Sequence, residues 1–268
     1  MDRTETTIAT QASPEKEAET QAEKLTGRAW FWAEFKFFSK LFVVILAFLT
    51  FVWGHYKIPS ETMQPTLEVG DHLYVSKYSY GVSKHSLPFL LHKLPLPEGR
   101  LFSQLPDRGD VVVFRNPKSG IVMIKRVVGL PGDKVQVRRG MLYLNGKVVA
   151  REKIDGRLYR EHATQLPRSV NVYQQSLPGM KEPFTIYERN DSYPLDNTPV
   201  FIVPKNTLFF MGDNRDNSID SRDPARGPGI VDMNYVIGRA DRMMFSLKKC
   251  NRNEDLYCPP KGRWMEKL

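Results

Sequence analysis

The sequence has little cysteine: Cys250 and Cys258 are the only two in 268 residues, eight positions apart near the C-terminus. Nothing around them supplies the remaining ligands of a zinc site. A disulfide and two free thiols both stay open, the disulfide only in an oxidising compartment. There is no internal repeat, no long amphipathic helix, and no second apolar run of spanning length after the first sixty residues. A repeat array and a polytopic membrane protein are thereby excluded. The net charge of +9 comes without zinc-finger spacing, a basic helix or an RNA-binding signature, so nucleic acid is not expected as a partner. Attraction to an anionic lipid bilayer accounts for the excess.

Residues 1–34 form a polar N-terminal segment, rich to about residue 27 in Glu, Thr, Ala, Lys and Gln, that buries too little to offset its ordering entropy. It reads as a disordered cytoplasmic tail. Leu41 to Trp53 is apolar apart from Thr50, with aromatic residues on both sides, so residues 35–54 read as a single transmembrane anchor. No small-x-small cleavage site follows it, which argues against a cleaved leader. Lys24, Arg28, Lys36 and Lys40 cluster at its N-terminal end and put that end in the cytoplasm, leaving residues 55–268 outside.

Those outer residues carry short β-rich runs at 71–80, 110–115, 121–128, 134–139, 207–212 and 235–245, separated by Gly, Pro, Asp and Asn. Asn145-Gly146 between MLYL and KVVA is a strong type I′ hairpin signal. The expected fold is therefore mainly β, an external antiparallel domain behind one N-terminal helix. Residues 81–106 read as a surface loop against the membrane, and about 151–204, with few strong strands, as an inserted smaller subdomain.

Three segments carry candidate chemistry. Pro59-Ser60-Glu61-Thr62-Met63-Gln64-Pro65-Thr66-Leu67 holds hydroxyls between prolines just after the apolar run. In Met123-Ile124-Lys125-Arg126-Val127, strand alternation sets Lys125 on the face opposite Ile124 and Arg126, so one of two adjacent cations points inward. A buried lysine has a depressed pKa and can serve as a general base. Gly212-Asp213-Asn214-Arg215-Asp216-Asn217-Ser218-Ile219-Asp220-Ser221-Arg222 is a dense polar loop without the glycine and glutamate spacing of a calcium loop. Taken singly, each segment also has a bland reading, as turn residues, solvated strand cations or a loop held by its own Asp–Arg pairs.

In this order the three segments together resemble the bacterial type I signal (leader) peptidases, serine–lysine dyad peptidases of family S26, over about Ile58 to Phe245. The resemblance implies a signal-peptidase type fold and an endopeptidase of the bacterial inner membrane, its catalytic domain periplasmic. It would remove signal peptides from preproteins with small residues at the first and third positions before the cut. It implies Lys125 as general base, Ser218 as the residue that hydrogen-bonds and orients its amine, and Ser60 as an oxyanion-hole donor. Asp220 and Arg222 would order the loop, Asp213 and Arg126 would form an ion pair, and Pro59, Met63, Leu67, Val113 and Ile124 would line the substrate pockets. No metal or organic cofactor is implied.

The family's pattern has its nucleophilic serine where this chain has Thr62. Threonine also supplies a nucleophilic hydroxyl, although its β-methyl stiffens χ1. The expected reading is an active threonine enzyme. The alternatives are an impaired homologue and a binder of signal sequences without turnover.

Overall fold

The computed structural model describes residues 14–88, 91–159, 166–247, 257–258 and 263–268. The chain divides into a unit ending at Ala47 and a second unit from Phe48 to Leu268.

The described part of the first unit is helical, belonging to a helix, α1, that runs Pro14–Phe51 and ends within the second unit. Residues 14–34 are thus helical where a disordered tail is expected. Glu, Ala, Lys and Gln are strong helix formers, and the helix continues back from the apolar run. Toward its other end, large hydrophobic side chains from Trp30 to Phe51 are exposed. No helix among the described residues is long and apolar enough to cross a membrane. The helical part of the apolar run from Leu41, broken only by Thr50, ends at Phe51, and eleven helical residues rise only about 16 Å. A bilayer core is about 30 Å thick.

The second unit is mainly β. Its largest sheet has eight strands among the described residues. They are β1 (Trp53–Lys57), β2 (Asp71–Ser76), β3 (Val111–Arg115), β4 (Val122–Gly129), β5 (Thr207–Met211), β6 (Val231–Asp232), β7 (Val236–Ser246) and β8 (Glu266–Lys267). The spatial order is β1-β2-β7-β3-β4-β5-β6, with β8 on β7, and every pairing is antiparallel. Strand β3 lies between β7 and β4 and is covered on both faces, which is why VVVF is an unbroken apolar run rather than an alternating one. Its register sets Val112 opposite Lys125 and Val113 opposite Ile124.

The hairpin around Asn145-Gly146 is present, with positive φ at both residues (52° and 79°), as a type I′ turn requires. Its two strands, with Lys134–Arg138 and Phe201–Ile202, make a four-stranded sheet. Residues 151–204, expected to be poor in strands, contain a three-stranded antiparallel sheet of Arg151–Tyr159, Arg168–Gln175 and Phe184–Glu188. The first of these strands is exposed along most of its length, so its polar sequence lacks the apolar alternation of a half-buried strand. The run at 71–80 also departs from expectation: the strand stops at Ser76 and Tyr78–Tyr80 forms a 3-10 turn. Between them Lys77 is buried, and its amine donates to the carbonyls of Leu49 and Ser86. Cys258 is disulfide-bonded, and Cys250 lies outside the described residues.

Candidate active site

Residues 58–70 leave β1 and return to β2 as a loop closed at its base, where the Ile58 amide donates to Asp71 O and the Gly70 amide to Ile58 O. Ile58, Met63 and Leu67 sink into a core cluster with Leu73, Val75, Val111, Val113 and Ile124. Anchoring the apolar members this way leaves Ser60 exposed and Thr62 half-buried. The order of apolar and hydroxyl residues along the loop thereby decides which of them faces outward.

Lys125 reaches this loop from β4. Its Nζ donates to Thr62 Oγ1 at 2.5 Å, and its side chain is almost wholly buried, at 2% exposure. Loss of hydration disfavours the ammonium and draws the lysine down to about 8; the nearby carboxylates of Asp220 and Asp213 oppose that shift, and Arg222 reinforces it. Ser60 Oγ lies 3.5 Å from Thr62 Oγ1.

Arg126, the next residue, is buried too, so both adjacent cations point into the protein rather than one. Its solution is the opposite of the lysine's. Asp213 accepts from both Nε (2.8 Å) and Nη2 (2.6 Å), Gly109 O accepts from Nη1 at 2.7 Å, and the guanidinium lies 4.1 Å from the centre of the Phe184 ring. A bidentate carboxylate pairs with this arginine at 5% exposure. Among the described residues the lysine has no such partner, and its amine is the group held against the threonine hydroxyl.

The polar loop after β5 holds the other side. Asp220 accepts from the Gly212 amide at 3.0 Å and from Arg222 Nε and Nη2, each at 2.9 Å, while Arg222 Nη2 also donates to Arg215 O at 2.6 Å. Two asparagines then reach across. The Asn214 amide donates to Thr62 O at 3.2 Å, its side-chain amide to Glu61 O at 3.2 Å, and Asn217 Nδ2 to Glu61 Oε2 at 2.9 Å. Sequence reasoning did not single out Glu61, Asn214 or Asn217, although all three lie within the chemistry-bearing segments. Their partners are some 150 residues away in the chain, which no local pattern reveals.

Two expectations are corrected. Ser218 Oγ is buried and makes no hydrogen bond among the described residues, so the expected bond to the Lys125 amine is not formed. The loop packs Ser218 over Gly212 instead, where a Cβ on the glycine would lie 2.2 Å from Ser218 Oγ and 2.4 Å from Thr62 O. Of the residues expected to line substrate pockets, Met63, Leu67, Val113 and Ile124 are buried in one core cluster beneath the loop, and Pro59 alone is exposed. They form the floor of the site rather than an open wall, because the loop's apolar side chains fill the space above the sheet.

One group of carboxylates could approach a cation. Oxygens of Glu188, Asp196 and Asp216 lie within 4.8 Å of one another. Each is already engaged: Glu188 with Arg151, Asp196 with the Tyr193 amide, Asp216 with the Arg189 amide. Burial draws Asp196 up to about 6.

A model of the family described as signal peptidase, peptidase S26, matches residues 31–245, which include the threonine loop, both buried cations and the polar loop. The chain belongs to the S26 signal peptidase family. Its relatives in that family include the protein named signal peptidase I of Rickettsia typhi, 36% identical over 222 residues, with 80% of each chain covered. That of Rickettsia canadensis is 34% identical over 239 residues, covering 87% of this chain and 84% of its own. A solved signal peptidase I from Enterococcus faecalis is 24% identical over 51% of this chain and 97% of its own, at a TM-score of 0.30.

Proposed function

We propose that this chain is a signal peptidase I that removes N-terminal signal peptides from exported preproteins through a Thr62–Lys125 dyad. The observation that carries the proposal is the 2.5 Å approach of a buried lysine amine to a threonine hydroxyl, with no carboxylate hydrogen-bonded to that amine among the described residues. An amine near 8 is about one tenth neutral at pH 7, enough to supply a base, whereas an ordinary lysine near 10.4 would be neutral in well under one part in a thousand.

Neutral Lys125 takes the Thr62 proton as Oγ1 attacks the carbonyl carbon of the scissile peptide. Collapse of the tetrahedral adduct breaks the C–N bond, and the lysine returns the proton to the departing amine. This leaves an ester on Thr62. Water then gives a proton to the same lysine and attacks the ester; as the ester C–O bond breaks the lysine passes that proton to Thr62 Oγ1, and the signal peptide's new carboxyl group leaves and ionises to solvent. The exposed Ser60 hydroxyl and the Thr62 amide are assigned to the oxyanion, a kind of donor worth about 2.7–4 kcal/mol each. Asp220 with Arg222, and Asp213 with Arg126, hold the polar loop and the lysine's strand in register. Ser218 is assigned to packing against Gly212 and the Thr62 carbonyl. Pro59 faces substrate, and Met63, Leu67, Val113 and Ile124 shape the floor that admits only small side chains at the first and third positions before the cut.

We place the chain at the inner membrane of a bacterium, single-pass, with its N-terminus cytoplasmic, the anchor expected over residues 35–54 ending with α1 at Phe51, before β1 begins, and the catalytic domain periplasmic. Support comes from the exposed aromatic and aliphatic side chains of α1, from the basic cluster before them, and from the disulfide at Cys258, which needs an oxidising compartment. Lys36 and Lys40 snorkel toward anionic headgroups.

Incubating the detergent-solubilised chain with a preprotein carrying an A-x-A site, and sequencing the N-terminus of the product, tests this reading. A single cut directly after the second alanine is expected, lost when either alanine becomes phenylalanine. Product ends scattered elsewhere would contradict the small-residue specificity, and no product would leave a binding protein in its place.

A further inference from the structure

Thr66 stands four residues after the nucleophile, outside every role assigned above. Its hydroxyl donates to Asp213 Oδ2 at 2.5 Å and accepts from Arg126 Nη2 at 3.2 Å. Asp213 Oδ2 in turn accepts from that same Arg126 Nη2 at 2.6 Å. Three chain segments far apart in sequence therefore meet in one ring of hydrogen bonds: the threonine loop, the strand that carries Lys125, and the polar loop.

We propose that Thr66 is a positioning residue, whose single hydroxyl fixes the distance between Thr62 and Lys125. The assignment rests on the peptidase reading above. Arg126 adjoins Lys125 in the chain, and Asp213 adjoins Asn214, whose amide holds the Thr62 carbonyl. A displacement of the loop is thus transmitted to both reacting groups. The loop's apolar anchors fix its depth but resist sliding poorly, because apolar contact has little directional preference. The directional side-chain contacts that tie the loop to the polar loop are the Thr66 ring and the asparagine bonds. A hydroxyl can donate to one neighbour and accept from the other, and that of Thr66 does both. The backbone of the same residue is held separately, since Thr66 O accepts from Arg263 Nη2 at 2.9 Å, so losing the hydroxyl frees the ring without freeing the chain.

Valine in place of Thr66 removes the hydroxyl at nearly constant volume and leaves Asp213 still paired with Arg126, so no buried charge is stranded. A misplacement of about 1 Å costs on the order of 100-fold in rate. The expected result for T66V is a kcat lower by roughly 10- to 100-fold with KM within about twofold, and an unchanged melting temperature. Thr66→Ser, which restores the hydroxyl, recovers kcat to within about threefold of the parent. Should valine lower the melting temperature, Thr66→Ala gives the same kcat loss without adding an apolar group beside Asp213. Equal kcat in the parent and in the hydroxyl-free variants, or failure of serine to recover what they lose, overturns the positioning role while leaving the peptidase standing. Absence of cleavage by the parent chain overturns the peptidase reading itself.

Discussion

A Cβ on Gly212 would lie 2.2 Å from Ser218 Oγ, so the glycine and the serine share a space that admits one side chain. The Thr62 carbonyl bounds the same space at 2.4 Å. Gly212→Ala therefore has to push the polar loop away from the threonine loop. Overpacking of this kind costs about 1–3 kcal/mol, and we predict a larger effect on rate, at least ~100-fold in kcat, because the displaced group adjoins the nucleophile. Comparison of kcat with the denaturation midpoint checks this; a variant as active as the parent would show that the contact is not rigid.

The pH dependence follows from Lys125. Because the lysine must be neutral to act, kcat/KM is expected to rise tenfold per pH unit below its pKa and to level off above about 8. A rate flat between pH 6 and 8 would exclude this lysine as the titrating base.

The same shift has a stability consequence of the opposite sense. The folded value lies below the ordinary 10.5, so the native state binds fewer protons than the unfolded chain, and the lysine opposes folding at any pH below about 8. That penalty fades as pH rises from 8 to 10.5, where both states lose the proton. Lys125→Met, inactive, should thus be more stable than the parent at pH 7, by up to roughly 3 kcal/mol, and should lose that advantage by pH 10.5. Urea unfolding at the two pH values measures it. An equal difference at both would mean that packing, not charge, governs the change.

Much of this was legible in the sequence because its signals were local. Asn145-Gly146 demanded positive φ at two consecutive residues, and the chain has it. The run at 110–115 reads as a strand, and the chain has β3 there, at Val111–Arg115. Lys125 and Arg126 show where local reading stops. Alternation allowed one inward cation, and the structure buries both, since Asp213, 87 residues from Arg126, compensates the arginine. The strand Arg151–Tyr159 escaped for the reverse reason, its solvent-exposed surface leaving no apolar period to detect. The Ser218–Lys125 bond, implied by resemblance alone, gave way to the close packing at Gly212.

Asp213 supplies a further prediction. Asp213→Ala leaves Arg126 charged at 5% exposure with only carbonyl and hydroxyl partners. Breaking one side of a buried pair costs about 3–5 kcal/mol, so the variant should unfold at markedly lower urea and lose activity together with stability. Asp213→Asn, which keeps acceptor and shape, should lose less. Near-parental stability of the alanine variant would contradict the pair's structural role.

The central claim is that Thr62 attacks and Lys125 takes its proton. Cleavage of an A-x-A preprotein in detergent by the parent chain, Thr62→Val, Thr62→Ser and Lys125→Ala tests it most directly. The account predicts product from the parent, product at an equal or greater rate from Thr62→Ser, which loses only the methyl that stiffens χ1, and none from Thr62→Val or Lys125→Ala. Undiminished product from Lys125→Ala or Thr62→Val, or product from Thr62→Ser alone, would contradict it.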